Sequence, residues 1–457
     1  MIDIKFSINT LGCKTNLSES DYIIKELSDR GFKLVKYSDG PDFCIINTCT
    51  VTSQSDRKVR QIVRRIKSNS PLSTVIVTGC YAVFNEKFLL DSGVDCIVKN
   101  KDKYSIPSML EELARRRWNA KTGLAASSGN KKFQNLVHSR ALVKIQDGCE
   151  QNCSYCIIPK VRGGYRSTPD ELVLAQIRNL AAAGFDEVVL TGIHIGKYAV
   201  DINAKTCSGE RNASDLADLL EKIIESSSIK RIRLGSIEIS EVDSRITDLI
   251  RESGRIAPHL HIPLQSGSDK ILELMKRPYS SGYFLNMVES IKKSVPDIAI
   301  TTDVIVGFPH ESEEDFIQTV DLIKKVSFSK LHVFKYSRRM HTEAYSMGGQ
   351  VAESVKSERS KFLREIGSKL RNDYIRNGVG KFFKVVTEKV DKEKRIAAGT
   401  SENYVKVYFP LDCSNAEILK KGKLVEVKIE SVYEDGLIGK MRKTWRDAGA
   451  CAFVVKI

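Results

Sequence analysis

Lys144-Ile-Gln-Asp-Gly-Cys149-Glu-Gln-Asn-Cys153-Ser-Tyr-Cys156-Ile-Ile-Pro159 holds three cysteines within eight residues, at spacings of four and three, directly after an apolar run over residues 141–145 that reads as a strand. Thiolates are soft ligands suited to iron, and an iron–sulfur cubane needs four of them to fill every corner. Three leave one iron open to a substrate. Structural zinc is the alternative, but it requires a fourth N or S ligand in closed tetrahedral geometry. His138 and His194 are the histidines at hand, and neither has finger spacing. A disulfide is a weaker reading still.

Beyond this stretch, strands and helices alternate from residue 139 to about 376. Strands are expected at 187–190, 231–234, 259–262, 298–306 and 330–334, each followed by a polar loop and a helical run. With the run at 141–145 these make six units of a partial or complete β/α barrel, whose working face is the set of loops after the strands. Thr191-Gly192-Ile193-His194, Gly235-Ser236-Ile237-Glu238, Pro263-Leu264-Gln265-Ser266-Gly267 and Gly307-Phe308-Pro309 all fall on that face and outline one pocket.

Residues 1–118 also alternate, with strands expected at 4–8, 44–47, 74–78 and 96–98 and helices at 16–29, 55–67 and 107–118. Such alternation implies a parallel sheet carrying its site beyond the carboxyl ends of the strands. Cys13, Cys49 and Cys80 each follow one of the first three strands, so each strand end delivers one thiolate to one edge of the sheet. That repeated placement marks a second metal centre. Asn16 reads either as a helix cap or as part of this site. Residues 119–138 lose periodicity and gain Ser, Gly and Lys, which reads as a linker.

Toward the C-terminus, a long helix is expected at 354–372. Short strands at 382–386, 404–408, 423–429 and 437–440 then suggest a small β-barrel. Residues 356–395 carry thirteen Lys or Arg against six Asp or Glu. Across all 457 residues the net charge is +15, which points to a polyanionic partner and says nothing of sequence recognition. No apolar run approaches a membrane span and residues 1–9 carry no export signal, so a cytoplasmic protein without a membrane partner is expected. Eleven cysteines in such a chain argue for metal or redox chemistry. Cys44, Cys96, Cys207, Cys413 and Cys451 stand outside both motifs and read as small buried hydrophobes.

The Cys-x3-Cys-x2-Cys motif resembles that of the radical S-adenosylmethionine (SAM) enzymes. With three cysteines before it and a small barrel after it, the whole chain resembles the methylthiotransferases of that superfamily. The resemblance rests on Gly12-Cys13-Lys-Thr-Asn16, Asn47-Thr-Cys49-Thr-Val-Thr52, Gly79-Cys80 and the Cys149 stretch. It implies an N-terminal methylthiotransferase domain over 1–118, a radical SAM core over 139–376 and a TRAM-like RNA-binding domain over 377–457. It further implies one [4Fe-4S] cluster on Cys149, Cys153 and Cys156 and an auxiliary [4Fe-4S] cluster on Cys13, Cys49 and Cys80.

Asn47–Thr52, Lys144–Cys149, Thr191-Gly-Ile-His-Ile-Gly196 and His261-Ile-Pro-Leu-Gln-Ser-Gly-Ser268 look most like the group acting on N6-threonylcarbamoyladenosine 37 of tRNA, with isopentenyladenosine enzymes the runner-up. The implied activity replaces adenine C2–H with a methylthio group. The implied partners are the tRNA anticodon stem-loop, an electron donor such as flavodoxin or ferredoxin, and a sulfur source. A nonenzymatic iron–sulfur RNA-binding protein is the alternative of another class. For SAM the resemblance nominates Thr191, Gly192, Glu238 and Tyr155. A partnered structural carboxylate is the other reading of Glu238, and core packing that of Tyr155. Arg162 and Arg166 are read as contacts to RNA phosphate or a cofactor carboxylate, or as a surface ion pair. Lys160, Ile239, His310 and Met340-His341 depart from the family pattern and bear on pocket shape.

Overall fold

The computed structural model describes residues 4–50, 53–118, 139–203, 215–411 and 419–442. Thr52, His138, Cys207, Cys413, Cys451 and the expected linker at 119–138 lie outside them. The first 118 residues form one parallel sheet of β1 (Lys5–Thr10), β2 (Lys33–Leu34), β3 (Phe43–Thr48), β4 (Thr74–Gly79) and β5 (Cys96–Val98), in the order β2-β1-β3-β4-β5. Strand β2, only two residues long, gives no signal in the sequence.

β3 is buried along its whole length because its alternate side chains serve two cores. Phe43 and Ile45 meet the helices Lys14–Asp29 and Ile106–Trp118, while Cys44 and Ile46 meet Val59, Val63 and Ile66 of the helix Ser53–Asn69. Cys44 is thus the buried apolar residue expected, and half-buried Cys96 packs against the first of these cores. The pairing aligns Thr10 with Asn47 and Thr48 with Gly79, so three adjacent central strands end level.

A second unit is built on β6 (Ala141–Lys144), a short antiparallel ribbon of β7 (Gln146–Asp147) and β8 (Arg166–Ser167), then β9 (Glu187–Thr191), β10 (Arg231–Leu234), β11 (His259–His261), β12 (Ala299–Val306) and β13 (Lys330–Lys335). β6, β9 and β10 form one parallel sheet and β11, β12 and β13 another. Parallel bridges Ile232–Ile256 and Ser236–His261 join them into a six-stranded arc, an incomplete barrel with a continuous apolar core. The ribbon β7–β8 was not anticipated: its strands lie twenty residues apart and pair across the neck of the cysteine loop.

The helix Glu353–Arg376 packs on β13 and leads to a closed barrel of β14 (Phe382–Asp391), β15 (Ile396–Ser401), β16 (Lys406–Pro410), β17 (Leu424–Tyr433) and β18 (Gly436–Met441). Four strands were expected here, and β15 is the fifth. Its Ile-Ala-Ala-Gly-Thr-Ser sequence lacks the bulky β-branched residues that mark strands. Tyr404, expected to open a strand, instead sits in the turn before β16 at φ 68°, stacked on His259 with ring centroids 4.6 Å apart. Arg231 and Arg233, at the start of β10, donate to the carbonyls of Lys384, Thr400, Ser401 and Glu402, which fixes this barrel to the first ends of the core strands.

Candidate functional site

The loop Cys149–Cys156 crosses the carboxyl end of the six-stranded arc. Its neck is closed by the β7–β8 ribbon and by Gln146, whose side-chain nitrogen donates to the carbonyls of Asp147 and Gly148 at 2.8 Å. The amide oxygen of Gln146 accepts from the backbone N–H groups of Ile193 (3.1 Å) and His194 (2.8 Å). One side chain thereby ties the cysteine loop to Thr191–His194. Gly148 lies at φ 73°, and a Cβ there would stand 1.9 Å from the Gly164 carbonyl oxygen. Gly148→Ala is expected to cost about 1–3 kcal/mol of backbone strain, read as lower iron retention per chain after anaerobic reconstitution.

All three thiols of the loop receive polar contacts. The N–H of Gln151 donates to Cys149 Sγ at 3.4 Å, and His194 Nδ1 lies 3.5 Å from the same sulfur. His194 Nε2 meets Glu241 Oε1 at 2.7 Å. Burial opposes charge on this imidazole, yet Cys149 and Glu241 outweigh burial and raise it to about 9. Arg277 Nη1 donates to Cys153 Sγ at 3.3 Å while its other nitrogen pairs with Glu238. Burial pushes Cys156 up to about 12, helped by the nearby Cys153 and Cys149, so without iron this thiol stays protonated.

Three thiols crowded together, with Cys153 and Cys156 raised by burial and N–H donors at hand, fit an iron–sulfur cluster, whose binding displaces the thiol protons. Among the described residues no three Cys, His, Asp or Glu side chains converge as ligands of a single ion, and His138, one candidate fourth ligand for zinc, lies outside them. His194, despite lacking finger spacing, does reach Cys149.

The nominated SAM residues surround this loop. Thr191 is buried and its carbonyl accepts from Ile145 N–H, and the Cα of Gly192 closes on the Gln146 carbonyl, where a Cβ would stand 2.9 Å away. Glu238 is held by Arg277, the partnered-carboxylate reading. Tyr155 packs edge-on to Phe308 in a small core with Met275 and Tyr336, the packing reading. It also lines, with Gln265, Asp303 and Lys335, a cavity of about 170 Å³ beside Cys156. Gln265 adopts φ 65° and its buried Oε1 has no partner. Gln146 and Gln265 fall within stretches that the sequence marked but were given no role of their own, and Arg277 carries no motif that sequence alone would single out.

Cys13, Cys49 and Cys80 gather at the level ends of β1, β3 and β4. A Cβ on Gly12 would meet Cys49 Cβ at 2.7 Å and its Sγ at 3.0 Å, so only glycine lets the Cys13 turn approach Cys49 so closely. Cys80 feels the Cys13 charge and packs against Ile157 and Val161 of the cysteine loop of the second unit. Asn16 does not cap its helix, since Cys13 holds that position. Instead its amide donates to the carbonyls of Leu11 (2.7 Å) and Thr48 (2.9 Å), joining two of the cysteine turns.

Arg162 is neither an RNA contact nor a surface ion pair. Its side chain is fully buried and donates to Glu19 (3.0 Å), Asp147 (2.7 Å) and Asn16 (2.5 Å). Lys103 and Lys144 complete this network, which spans the two units. Arg166 is half-exposed at its edge, 3.4 Å from Asp147. Among the departures, Lys160 is exposed in the turn Ile158–Arg162 and Ile239 is buried. His310 takes φ 65°, a glycine-like conformation, and His341 stacks on Phe84 at 4.5 Å.

Residues 143–323 match the radical SAM superfamily and residues 5–99 match the uncharacterized protein family UPF0004. A Bacillus subtilis protein, threonylcarbamoyladenosine tRNA methylthiotransferase MtaB, is 36% identical over 93% of each chain. The chain belongs to the tRNA methylthiotransferases of the radical SAM superfamily. Membership makes it a transferase that uses SAM and a [4Fe-4S] cluster. This methylthiotransferase is also 31% identical, over 84% of each chain, to a tRNA-2-methylthio-N(6)-dimethylallyladenosine synthase of Methylacidiphilum infernorum. In fold it resembles the radical SAM methyltransferase TsrM of Kitasatospora setae, with TM-score 0.53, 15% identity and coverage of 75% and 77%.

Proposed function

We propose that this methylthiotransferase converts N6-threonylcarbamoyladenosine at position 37 of tRNA to its 2-methylthio derivative, with two [4Fe-4S] clusters held by Cys149, Cys153 and Cys156 and by Cys13, Cys49 and Cys80. The observation that carries it is the contact of Cys80 with Ile157 and Val161, which sets one trio of thiols against the loop bearing the other. The threonylcarbamoyl substrate is supported by 32–36% identity to five proteins of that name, against 31–32% for dimethylallyl synthases.

When bound, the clusters and SAM would supply the one-electron chemistry that an unactivated C2–H bond demands, and the auxiliary cluster would hold the sulfur delivered by the sulfur source. The chain supplies position and charge. Arg277 holds Glu238 and keeps a permanent cation beside Cys153, Gln146 fixes the loop to Thr191–His194, and Arg162 keeps a cation beside Cys80. The cavity bounded by Tyr155, Gln265 and Asp303 offers space for a bound group beside Cys156. The remaining partners are the anticodon stem-loop, an electron donor such as flavodoxin or ferredoxin, and a sulfur source. The enzyme works where tRNA is, in the cytoplasm; among the described residues no helix is long and apolar enough to cross a membrane.

Nucleoside mass spectrometry of tRNA from a deletion strain tests the substrate. Loss of the methylthio group from the threonylcarbamoyl nucleoside is expected, and loss from the isopentenyl nucleoside alone refutes the reading. Cys49→Ala tests the division of labour: 5′-deoxyadenosine should still form while methylthio product disappears. Equal loss of both would speak against separate centres.

A further inference from the structure

We propose that the exposed face of the helix Ser53–Asn69 receives the phosphate backbone of the tRNA substrate. The helix carries six cations (Arg57, Lys58, Arg60, Arg64, Arg65 and Lys67) against one carboxylate, Asp56. Its apolar side, Val59, Val63 and Ile66, is buried on β3 and β4. At 100° per residue that burial turns Arg57, Lys58, Arg60, Arg64 and Arg65 outward together, and all five are exposed.

Among the described residues none of the five forms an ion pair, while Asp56 is occupied by Arg339 and Thr50. Arg60 lies over the half-exposed ring of Phe88 at 5.8 Å and also meets the Tyr81 hydroxyl, while Arg65 lies over Tyr37 at 5.0 Å, a contact that leaves its guanidinium edges free to meet phosphate. From Arg57 to Arg65 the row runs about 12 Å at 1.5 Å per residue, enough to meet several successive phosphates.

The stretch that composition alone marked as basic is in part spent internally. Lys356 pairs with Glu353, Arg359 with Glu311 and Glu313, Arg376 with Asp373 and Lys381 with Asp297, and Arg371 donates to the Asp435 carbonyl. Lys361, Lys369, Lys384, Lys392 and Lys394 of that stretch stay exposed, but it is the cation-bearing helix Ser53–Asn69 that starts four residues after Cys49. Its first turn is tied through Asp56 and Arg339 to the loop after β13, where Lys335 and Ser337 line the cavity beside Cys156. A strand of phosphates along this helix would pass the mouth of the site.

The inference rests on the tRNA reading, and its test separates the two. Binding of a fluorescein-labelled anticodon stem-loop RNA to the full chain is followed by anisotropy at salt concentrations from about 50 to 200 mM. Arg57→Gln/Arg64→Gln/Arg65→Gln is expected to weaken binding on the order of tenfold or more and to flatten the slope of log K against log salt by about 2–3. Each single change should flatten it by about 1, which keeps the test open if the triple variant folds poorly. Arg115→Gln/Arg116→Gln, on guanidinium groups already paired with Glu111 and Glu112, should leave the slope unchanged. Equal slopes for the triple variant and the wild type, with binding intact, overturn this surface alone; a wild type that does not bind the RNA overturns the tRNA reading with it.

Discussion

Cys153→Ala is expected to abolish 5′-deoxyadenosine formation from SAM under reducing conditions and to remove about half of the iron bound per chain. A cubane on three protein thiolates has no spare ligand, and each thiolate must give up a proton to bind. The folded loop raises that demand. Burial pushes the Cys153 thiol up, and Arg277, 3.3 Å away, is the cation that offsets it. With alanine at 153 the remaining thiols form an incomplete chelate. Arg277 keeps Glu238 as a partner, so the fold should survive and the lesion stay chemical. Cys44→Ala, buried in the first sheet and outside both trios, should retain both iron and 5′-deoxyadenosine formation. Survival of 5′-deoxyadenosine in the Cys153 variant would refute the assignment of the loop.

Glu19→Gln is expected to destabilise the chain by about 3–5 kcal/mol, because one partner of a buried ionic network is removed and the others keep their charge. Glu19 binds Arg162, Lys103 and Lys144, and all four side chains are at most 13% exposed. With Glu19 neutral, Arg162 and Lys144 share Asp147, and buried Lys103 keeps only the Asn47 amide oxygen. Burial would raise Glu19, but Arg162, Lys103 and Lys144 overcome it and hold the carboxyl at about 2.

A carboxylate depressed in the folded state contributes stability above its unfolded value of about 4.3, and that contribution is lost as pH falls through the folded value. The gap between wild type and variant, read from urea unfolding, should therefore be full at pH 7 and shrink from about pH 4 toward pH 2. A variant as stable as wild type at pH 7 would show that this network does not join the two units.

Short-range chemistry made much of this molecule legible. The period of apolar residues marked the three central strands that end in cysteine, because a strand buried on both faces reads as an unbroken run such as Phe-Cys-Ile-Ile. β15 escaped because small residues carry little strand signal, and the β7–β8 ribbon because its pairing bridges a whole loop. Arg162 was misplaced for a related reason. A guanidinium beside a cysteine loop looks exposed until the fold brings Glu19, from 143 residues away, to meet it.

The sequence by itself determined the ligand chemistry, since three thiols within eight residues and three more at successive strand ends depend only on local spacing and on strands running parallel. Only the tertiary structure decided which charges are spent and which are free. Whether an arginine meets a carboxylate or water depends on what the chain returns to that spot. The basic stretch at 356–395 therefore proved partly paired, and a separate row of open cations emerged on Ser53–Asn69.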